Sequence, residues 1–401
     1  MEALNGIRVL DMSQFLSGPR CAQILALLGA DVIKVESPAG DTMRLLMGLA
    51  GSERALSVLH QNKRSAMIDI NNELGKEALI ELVKRCDVLV ENFAPGILKR
   101  RGLDSEALLA INPRLIYVSI SGFGHSGPES QRTAFDIISQ ATAGIMYANH
   151  SEDTPPGVFF GDLCTGAFAA MSTLAALRLR DQTGQGQAID VSMQDVMYFH
   201  NFWCQSHKAN REAVGEMEGI LGRPMEKLLS DHEHPMPFWN SFHVSDGYVV
   251  AVALTDAQWN RLLKVVGRED LLTDERFNNF IGRIRNADEG LAALAPWFAQ
   301  RTVDEVIEQL SAERIPCGRV ADYEHVNSDP QLEARGMFKR VDHERLGPID
   351  VPNLPCGMDQ GQAEVRTACP DLGADTEQIL RELLDLDDAA LDKLRASGAI
   401  P

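Results

Sequence analysis

The chain has 401 residues, of which 45% are hydrophobic and 24% are charged, as in a folded globular protein rather than a disordered or collagen-like one. This length suggests two or three domains. With 38 basic and 57 acidic residues the formal net charge is -19, so non-specific attraction to nucleic acid or to a membrane surface is disfavoured. An anionic ligand therefore needs a local basic pocket.

The amino terminus and the cysteines bear on the compartment. Residues 1–5 carry an early acid and lack the basic-then-apolar pattern of a signal peptide. The seven cysteines are odd in number and form no C-x-x-C pair, so neither a disulfide framework nor a zinc clip is predicted. His232-Glu233-His234 has no third ligand at a diagnostic spacing and is interpreted as a solvated loop. We expect a cytoplasmic protein with free thiols and no metal.

The first half of the chain alternates strands with helices, which predicts a parallel, doubly wound sheet. The predicted strands cover residues 7–11, 32–36, 65–70, 87–91, 115–120 and 188–191. The predicted helices cover residues 20–28, 75–85 and 162–180. The last of these helices is Ala-rich and apolar nearly all round, which predicts deep burial.

The second half indicates a smaller α+β domain and a return to the sheet. The domain boundaries that we predict are a first part of the large domain, a polar linker, a small domain, and a return linker with the last part of the large domain, at residues 1–209, 210–235, 236–325 and 326–401. The small domain holds a strand at 247–253 and helices near 259–266, 291–298 and 303–310. The return segment holds helices at 376–384 and 388–394 that pack back onto the sheet.

The run Gly122-Phe123-Gly124-His125-Ser126-Gly127 matches G-x-G-x-x-G directly after a predicted strand. Pro128 follows where a dinucleotide-binding helix should begin, and position 144 is Gly rather than an acid that would hold a ribose. We interpret the run as a Gly-rich turn shaped for another ligand or for the backbone itself, and nicotinamide binding is not expected.

Asp162 is the most informative carboxylate, because Gly161 precedes it and Thr165-Gly166 follows it at the start of the long apolar helix. It is either an N-cap or a nucleophile. With an ordinary pKa of about 3.9, such a carboxylate is ionised near neutrality and needs no general base. A glycine neighbour lets a bulky electrophile approach, and the helix N-terminus can stabilise an oxyanion. Cys164 is interpreted as a packed small residue.

Two basic clusters, Asn62-Lys63-Arg64-Ser65 and Lys99-Arg100-Arg101, each lie next to a predicted connection between a strand and a helix. In so acidic a chain they are candidates for phosphate contacts. The alternative is ordinary solvated surface.

Six segments in chain order together resemble the class III CoA-transferases. They are residues 62–65, 87–96, 122–124, 160–162, 183–195 and 315–318. The likeness runs from residue 4 to about residue 385, in a family that includes formyl-CoA transferase, carnitine CoA-transferase and α-methylacyl-CoA racemase. It implies an α/β fold with a Rossmann-like large domain, a smaller α+β domain and an interlocked dimer.

The resemblance also implies that Asp162 is the nucleophile, that CoA thioesters are substrates and that no cofactor is bound permanently. The CoA pocket that it implies consists of Phe15, Leu16, Ser17, Ile68, Asn71, Asn92, Phe93 and Arg100. Some relatives carry Lys where Asn71 stands here, so one charge contact differs. Around the acyl group we expect Arg132, His125, His150, Phe135, Tyr147, Phe159 and Phe160.

Two features separate the branches of the family. The racemase branch carries a His directly before the Asp in the segment equivalent to Ala134-Phe135-Asp136, and a Phe cannot move a proton. No Gly-rich run lies between 220 and 260, where the formyl-CoA branch has a mobile loop. These features favour a CoA-transferase. Its overall likeness to the family implies succinyl-CoA as the donor and a substituted succinate such as (R)-benzylsuccinate as the acceptor, with a carnitine-type or simple dicarboxylate acceptor left open, and an enzyme that works as a homodimer or with a related subunit. The alternatives are an α-methylacyl-CoA racemase and a non-catalytic companion subunit.

Overall fold

The computed structural model describes residues 2–149, 151, 153–222, 224, 235–361 and 363–401. Within these residues the chain divides into two compact units. The first comprises Met1–Ala143, Pro156–Met197 and Pro330–Pro401, and the second comprises Gly144–Pro155 and Tyr198–Asp329. His150 and the run His232-Glu233-His234, both considered in the sequence, lie outside the described residues.

Parallel strands form the centre of the first unit. They are β1 (Arg8–Asp11), β2 (Asp31–Glu36), β3 (Lys63–Met67), β4 (Val88–Glu91), β5 (Ile116–Ser121) and β6 (Gln187–Ser192). Their order in the sheet is β3-β2-β1-β4-β5-β6, so the winding reverses between β1 and β4. Val9 is paired with Val32 on one side and with Val88 on the other. In such a sheet the ligand crevice lies beyond the carboxyl ends of the strands where the order reverses.

Both units contain α-helices. In chain order these helices are α1 (Ser17–Leu27), α2 (Thr42–Leu49), α3 (Ser57–His60), α4 (Glu73–Val83), α5 (Ile97–Arg101), α6 (Ser105–Ile111), α7 (Asp136–Thr142), α8 (Ile145–Ala148), α9 (Phe160–Thr183), α10 (Met193–His200), α11 (Phe202–Ala209), α12 (Arg211–Leu221), α13 (Asp256–Val265), α14 (Phe280–Arg285), α15 (Ala287–Ala299), α16 (Val303–Ala312), α17 (Tyr323–Asn327), α18 (Pro330–Ala334), α19 (Thr376–Leu384) and α20 (Asp388–Ala396). Short 3₁₀ turns lie at Glu53–Leu56 and Glu269–Leu272.

Helix α9 packs one face against α1. A Cβ on Gly166 would lie 2.4 Å from the carbonyl oxygen of Ser17, so only glycine allows this approach. The opposite face is open, with Met171 56% exposed in this chain. Within one chain, therefore, only one side of α9 is buried, and burial of its other side stays a prediction. By length and composition α9 is also apolar enough to cross a membrane, but the core helix of a globular protein meets the same criteria.

The carboxyl-terminal helices α19 and α20 complete the first unit. The backbone N–H of Ser65 donates to the Asp375 carboxylate at 2.7 Å, and that of Met67 donates to the Thr376 hydroxyl at 3.0 Å. The backbone N–H of Asp69 donates to the carbonyl of Ala399 at 2.9 Å. The apolar sides of the two helices enter the same core as α4 and the sheet. An antiparallel pair, β10 (Phe338–His343) and β11 (Gly347–Pro352), lies in the segment that leads back to them and was not predicted.

The second unit contains an antiparallel sheet of β7 (Trp239–Val244), β8 (Gly247–Val252) and β9 (Cys317–Arg319). Its core includes Trp259, which is fully buried, and the stacked rings of Phe242 and Phe298, 3.9 Å apart. Together with the parallel sheet of the first unit, this confirms the predicted α/β class with a smaller α+β part. Residues 211–221 form helix α12 where a linker was predicted, because the apolar residues at 214, 217, 220 and 221 recur at helical spacing within a polar stretch.

Candidate active site

Two adjoining cavities open where the winding of the parallel sheet reverses. The larger has a volume of about 420 Å³ and the smaller about 190 Å³. Phe15, Asn92, Phe93 and Ala94 line both, so the cavities share a wall. Asp162 lines the smaller cavity. A ligand lying along the larger cavity could therefore present one end to this carboxylate.

The predicted CoA-pocket residues divide into three groups. Those that line the larger cavity are Phe15, Ile68, Asn71, Asn92 and Phe93. Ser17 lines the smaller cavity beside Asp162. Leu16 and Arg100 line neither cavity, and a CoA contact for them stays a prediction.

Arg101, not Arg100, is the arginine at the larger cavity. Its guanidinium donates to the side-chain oxygen of Asn71 at 2.7 Å. The sequence identified the basic cluster of α5 but not the position within it, because neighbouring helix residues point about 100° apart and the phase of so short a helix is set by its packing.

Asn92, just after β4, holds the loop between β1 and α1. Its side-chain oxygen accepts from the backbone N–H of Gln14 at 2.8 Å, and its amide group donates to the carbonyl of Gln14 at 2.7 Å and to the Ser17 hydroxyl at 3.2 Å. The Ser17 hydroxyl in turn lines the smaller cavity beside the Asp162 carboxyl, and it lowers the pKa of that carboxyl. A chain of polar groups therefore leads from the wall of the larger cavity to the carboxylate of the smaller one.

A buried cluster of charged side chains packs against the same loop. The ammonium of Lys63 lies 2.9 Å from the Asp11 carboxylate, and that of Lys34 lies 3.1 Å from the Asp41 carboxylate. Burial alone would raise the pKa of the Asp11 carboxyl, but the two lysines outweigh it and lower that pKa. Asp41 also accepts from the backbone N–H of Phe15 at 3.2 Å, at a residue held at a φ of 61°. The cluster thus fixes a strained backbone position at the cavity wall.

The first basic cluster of the sequence does not contact a phosphate site, so that interpretation is wrong. Lys63 is buried and satisfied by Asp11 and by the carbonyl of Pro19. Arg64 pairs with Asp31, at the opposite edge of the sheet from the cavities, at 2.6 Å. Arg64 belongs to the amino-terminal end of β3, whereas ligands of such a sheet bind beyond the carboxyl-terminal ends of its strands.

Asp162 lies in the first turn of α9 and does not cap it. The N-cap residue is Phe159, which makes no side-chain capping bond, so the capping alternative is not what the structure shows. Asp162 is 9% exposed. Burial and the neighbouring charge of Asp136 raise its pKa to about 6, although the Ser17 hydroxyl opposes the rise. Near neutrality the group is still mostly ionised, with more basic oxygens than an ordinary aspartate.

The Gly-rich run after β5 is a turn. A Cβ on Gly122 would lie 2.4 Å from the Cβ of Ala134, so this glycine permits a close approach of two loop segments. The next helix of the first unit is α7, which starts only at Asp136. No helix begins at the run itself, as a dinucleotide-binding turn would require.

The residues expected around the acyl group are only partly brought together. Arg132 and Phe135 line the smaller cavity, and the Phe135 ring meets the edge of Phe15 at 5.5 Å. His125 lines a different cavity and contacts the Ser119 hydroxyl at 2.6 Å. Tyr147 belongs to the second unit.

Phe159 and Phe160 are exposed at the start of α9. Burial raises the pKa of the nearby Cys164 thiol, and so does Asp136, as suits a packed thiol rather than a nucleophile. Among the residues that the structure describes, no group of three or more His, Cys, Asp or Glu side chains is arranged to hold a metal ion.

Comparison with known proteins identifies the family. The sequence profile of CoA-transferase family III matches residues 4–376. Formyl-CoA:oxalate CoA-transferase of Streptomyces coelicolor is 34% identical over 412 residues, covering 100% of this chain and 99% of that protein. An acyl-CoA transferase of Fusarium pseudograminearum is 33% identical, covering 99% of this chain and 88% of that protein.

Solved structures agree. A CaiB/BaiF family protein from Brucella suis matches with a TM-score of 0.79 and 32% identity, over 95% of this chain and 99% of that one. A Mycobacterium tuberculosis protein matches with a TM-score of 0.77 and 26% identity, over 94% and 98%. The fold class, the family resemblance and the enzyme class predicted from the sequence are confirmed: the chain belongs to CoA-transferase family III.

Proposed function

We propose that this enzyme moves CoA from an acyl-CoA donor to a carboxylic acid acceptor with Asp162 as the nucleophile. The observation that carries the proposal is the position of this carboxylate. It lines a small cavity that shares a wall with the larger cavity, where most of the residues implied in CoA binding lie. Its raised pKa, about 6, makes it a better nucleophile than an ordinary carboxylate while leaving it ionised at neutral pH.

The proposed reaction proceeds by exchange at carbonyl carbons. A carboxylate oxygen of Asp162 attacks the donor thioester, the carbon–sulfur bond breaks, and CoA leaves as a thiolate. The thiolate then attacks the aspartyl carbonyl of the mixed anhydride, which releases the donor acid and leaves an aspartyl-CoA thioester. The acceptor carboxylate attacks that thioester, and the freed thiolate attacks the acceptor carbonyl, so Asp162 is regenerated.

Exclusion of water preserves the free energy of the thioester through these steps, because hydrolysis of the anhydride or of the thioester would waste it. The edge-to-face rings of Phe15 and Phe135 stand at the smaller cavity and give it an apolar wall. Phe135 also occupies the place of the proton-carrying His of the racemase branch, which supports transfer over racemisation.

The acid is proposed from the lining of the smaller cavity. Among the described residues there, Arg132 is the cation that faces the same space as Asp162, which favours an acid bearing a second carboxylate. The volume of about 190 Å³ favours a short acid. The Streptomyces coelicolor relative is named for formyl-CoA and oxalate. We therefore propose a short dicarboxylate such as oxalate or succinate as the acid. We prefer it to the pair expected from the sequence, in which succinyl-CoA is the donor and (R)-benzylsuccinate is the acceptor.

Assembly and location are proposals of the same kind. From the sequence resemblance we propose an interlocked homodimer, or a heterodimer with a related subunit, in the cytoplasm. Sedimentation of the purified chain with and without CoA would test the homodimer.

The test of function combines turnover with trapping of the intermediate. Purified enzyme is incubated with formyl-CoA or succinyl-CoA and with oxalate, succinate or (R)-benzylsuccinate. Hydroxylamine then traps activated carboxyls, and mass spectrometry locates the modified residue. We expect the adduct on Asp162, and Asp162→Ala should lose transfer while still binding CoA by calorimetry. Transfer by that variant, or an adduct elsewhere, would refute the nucleophile, and inactivity of the pure chain with every pair would favour the companion-subunit alternative.

A further inference from the structure

Asp136, the first residue of α7, contacts the backbone of Asp162. One oxygen of the Asp136 carboxylate accepts from the backbone N–H of Asp162 at 2.9 Å. The other oxygen accepts from the side-chain amide of Gln140 at 2.7 Å. Asp136 is buried, with 7% of its surface exposed. Its carboxylate is therefore held in one place, against the first turn of α9.

The first turn of α7 and the start of α9 approach each other more closely than a side chain at position 161 would allow. A Cβ on Gly161 would lie 2.3 Å from the Ser139 hydroxyl and 3.0 Å from the Asp136 carboxylate. The Ser139 hydroxyl donates to the carbonyl of Asp136 at 2.7 Å, which ties down the first turn of α7. The glycine directly before Asp162 thus lets a second carboxylate approach the reacting one.

We propose that Asp136 is a positioning residue for Asp162, because its carboxylate fixes the backbone N–H of the nucleophile and sets a second negative charge against the reacting carboxylate. This inference rests on the function proposed for Asp162. Acylation of Asp162 removes its charge and relieves the repulsion between the two groups. Asp136 therefore destabilises the resting carboxylate relative to the aspartyl anhydride and the aspartyl-CoA thioester.

The charge and the hydrogen bond of Asp136 predict different effects. A merely structural role requires an acceptor oxygen at this place but no charge, so an asparagine could fill it. A role in tuning the nucleophile requires the charge itself. The pH dependence of the reaction distinguishes the two, because burial and Asp136 both raise the pKa of Asp162.

Other groups also lie near Asp162 or along its helix. From α1, the Ser17 hydroxyl lowers the pKa of Asp162, and Arg20 packs beside Gly166 one turn further along α9. Arg132 lines the cavity from the loop before α7, and Cys164 lies on α9 itself. Removing the Asp136 charge and removing the Ser17 hydroxyl should therefore shift the titration of Asp162 in opposite directions.

The experiment measures kcat/KM against pH for the full-length enzyme and its variants. For Asp136→Asn we expect the acid limb to move to lower pH. We also expect the fraction trapped as aspartyl-CoA thioester to fall about tenfold, the factor that corresponds to one pKa unit. Ser17→Ala should move the acid limb to higher pH. Asp181→Asn, at an exposed position on the same helix, is the matched control and should leave the profile unchanged.

Asp136→Glu keeps the charge, and it provides a second test of the inference if Asp136→Asn does not fold. It should keep the acid limb near that of the wild type while lowering the rate, since its longer side chain displaces the contact with the Asp162 backbone. The inference is overturned if the profile of Asp136→Asn coincides with that of the wild type, or if Asp136→Glu moves the limb to lower pH. If the wild type itself forms no adduct on Asp162, the proposed function fails instead.

Discussion

At the scale of single residues, the carboxylate of Asp162 is held in an environment that disfavours its charge. It is 9% exposed, and its pKa is raised to about 6 first by burial and then by Asp136. A carboxyl whose pKa is higher in the folded than in the unfolded state reduces stability once it ionises. The fold therefore gives up stability at the site where the proposed chemistry needs a basic oxygen.

Asp162→Asn should accordingly stabilise the protein. The folded-state pKa of about 6 lies above the ordinary value of 3.8, so the penalty is absent below about pH 4 and complete above about pH 6. We expect the free energy of unfolding to rise by about 1–3 kcal/mol at about pH 7.5 and by about half as much at about pH 5. Urea unfolding at the two pH values measures this. An equal gain at the two pH values, or no gain at either, would contradict the raised pKa of Asp162. The control Asp181→Asn, at an exposed position, should not change the free energy of unfolding at either pH.

Some residues of the site could be located from the sequence, and others could not. Asp162 was recognisable because a glycine and a helix start mark it, and Asn92 because it belongs to a family motif. Asp136 was missed as a partner because it lies 26 residues earlier in the chain, and no local pattern indicates that it folds back. Lys63 was misjudged because a charge at the start of a strand resembles surface, whereas Asp11 makes it a buried partner.

The buried ion pair of Lys63 and Asp11 can be tested by substitution. Lys63→Met would leave the Asp11 carboxylate in the interior with only Lys34, at 3.9 Å, as a nearby cation. Because an uncompensated buried charge is costly, we expect a loss of about 3–5 kcal/mol in the free energy of unfolding. Lys84→Met, which breaks an exposed pair with Glu81, should change it by no more than about 0.5 kcal/mol. Similar effects of the two substitutions in urea unfolding would show that the buried pair matters no more than surface charge.

At the scale of elements, the position of Ser17 depends on the contact between α1 and α9. Gly166→Ala would place a Cβ 2.4 Å from the Ser17 carbonyl and 2.7 Å from the Arg20 Cβ, so α1 must shift. We expect this to lower the free energy of unfolding by about 1–3 kcal/mol and to reduce transfer, since Ser17 lies beside Asp162 in the smaller cavity. Urea unfolding and turnover measure the two effects.

The matched control is Gly219→Ala in α12, where a new Cβ meets nothing within 4 Å. There the same substitution should be neutral or stabilise by up to about 1 kcal/mol, because alanine favours a helix over glycine. Equal losses at both positions would show that the α1–α9 approach is not the cause.

The elements also show why sequence patterns succeed unevenly. Strands such as β2 and helices such as α19 were predicted nearly to the residue, because β2 holds the β-branched residues Val32, Ile33 and Val35 directly after a Gly-containing turn and α19 has a clear apolar side. The hairpin of β10 and β11 was missed because β10 is mostly exposed and holds the consecutive charges Lys339 and Arg340, while β11 contains one glycine and two prolines. The sequence did not show which side of α9 one chain covers, because Met171 and Leu179 on the open side are as apolar as the residues on the buried side.

At the scale of the whole molecule, the first unit is discontinuous in sequence and the second is inserted into it. The second unit holds all four tryptophans of the chain, Trp203, Trp239, Trp259 and Trp297. Tryptophan fluorescence therefore reports on the second unit, whereas the loss of parallel-sheet structure reports on the first.

Removing residues 371–401 should separate the two units experimentally. The first unit would lose α19 and α20 and with them part of its core, including Ile379, Leu380 and Leu391. We expect circular dichroism to lose the cooperative transition of the first unit, while the tryptophan transition of the second unit is retained. Loss of both transitions, or retention of both, would contradict this division.

The hydrogen bond between Asp69 and Ala399 joins a segment made early in synthesis to nearly the last residue of the chain. While the ribosome is still translating, the inserted unit can finish folding, but the core that contains α4 is not fully covered until α19 and α20 emerge. The nascent protein therefore exposes an unfinished core for almost the whole of translation. That exposure is when chaperones would be most needed, and loss of α19 and α20 should leave the first unit without a cooperative fold and prone to aggregate, rather than yield a weakened enzyme.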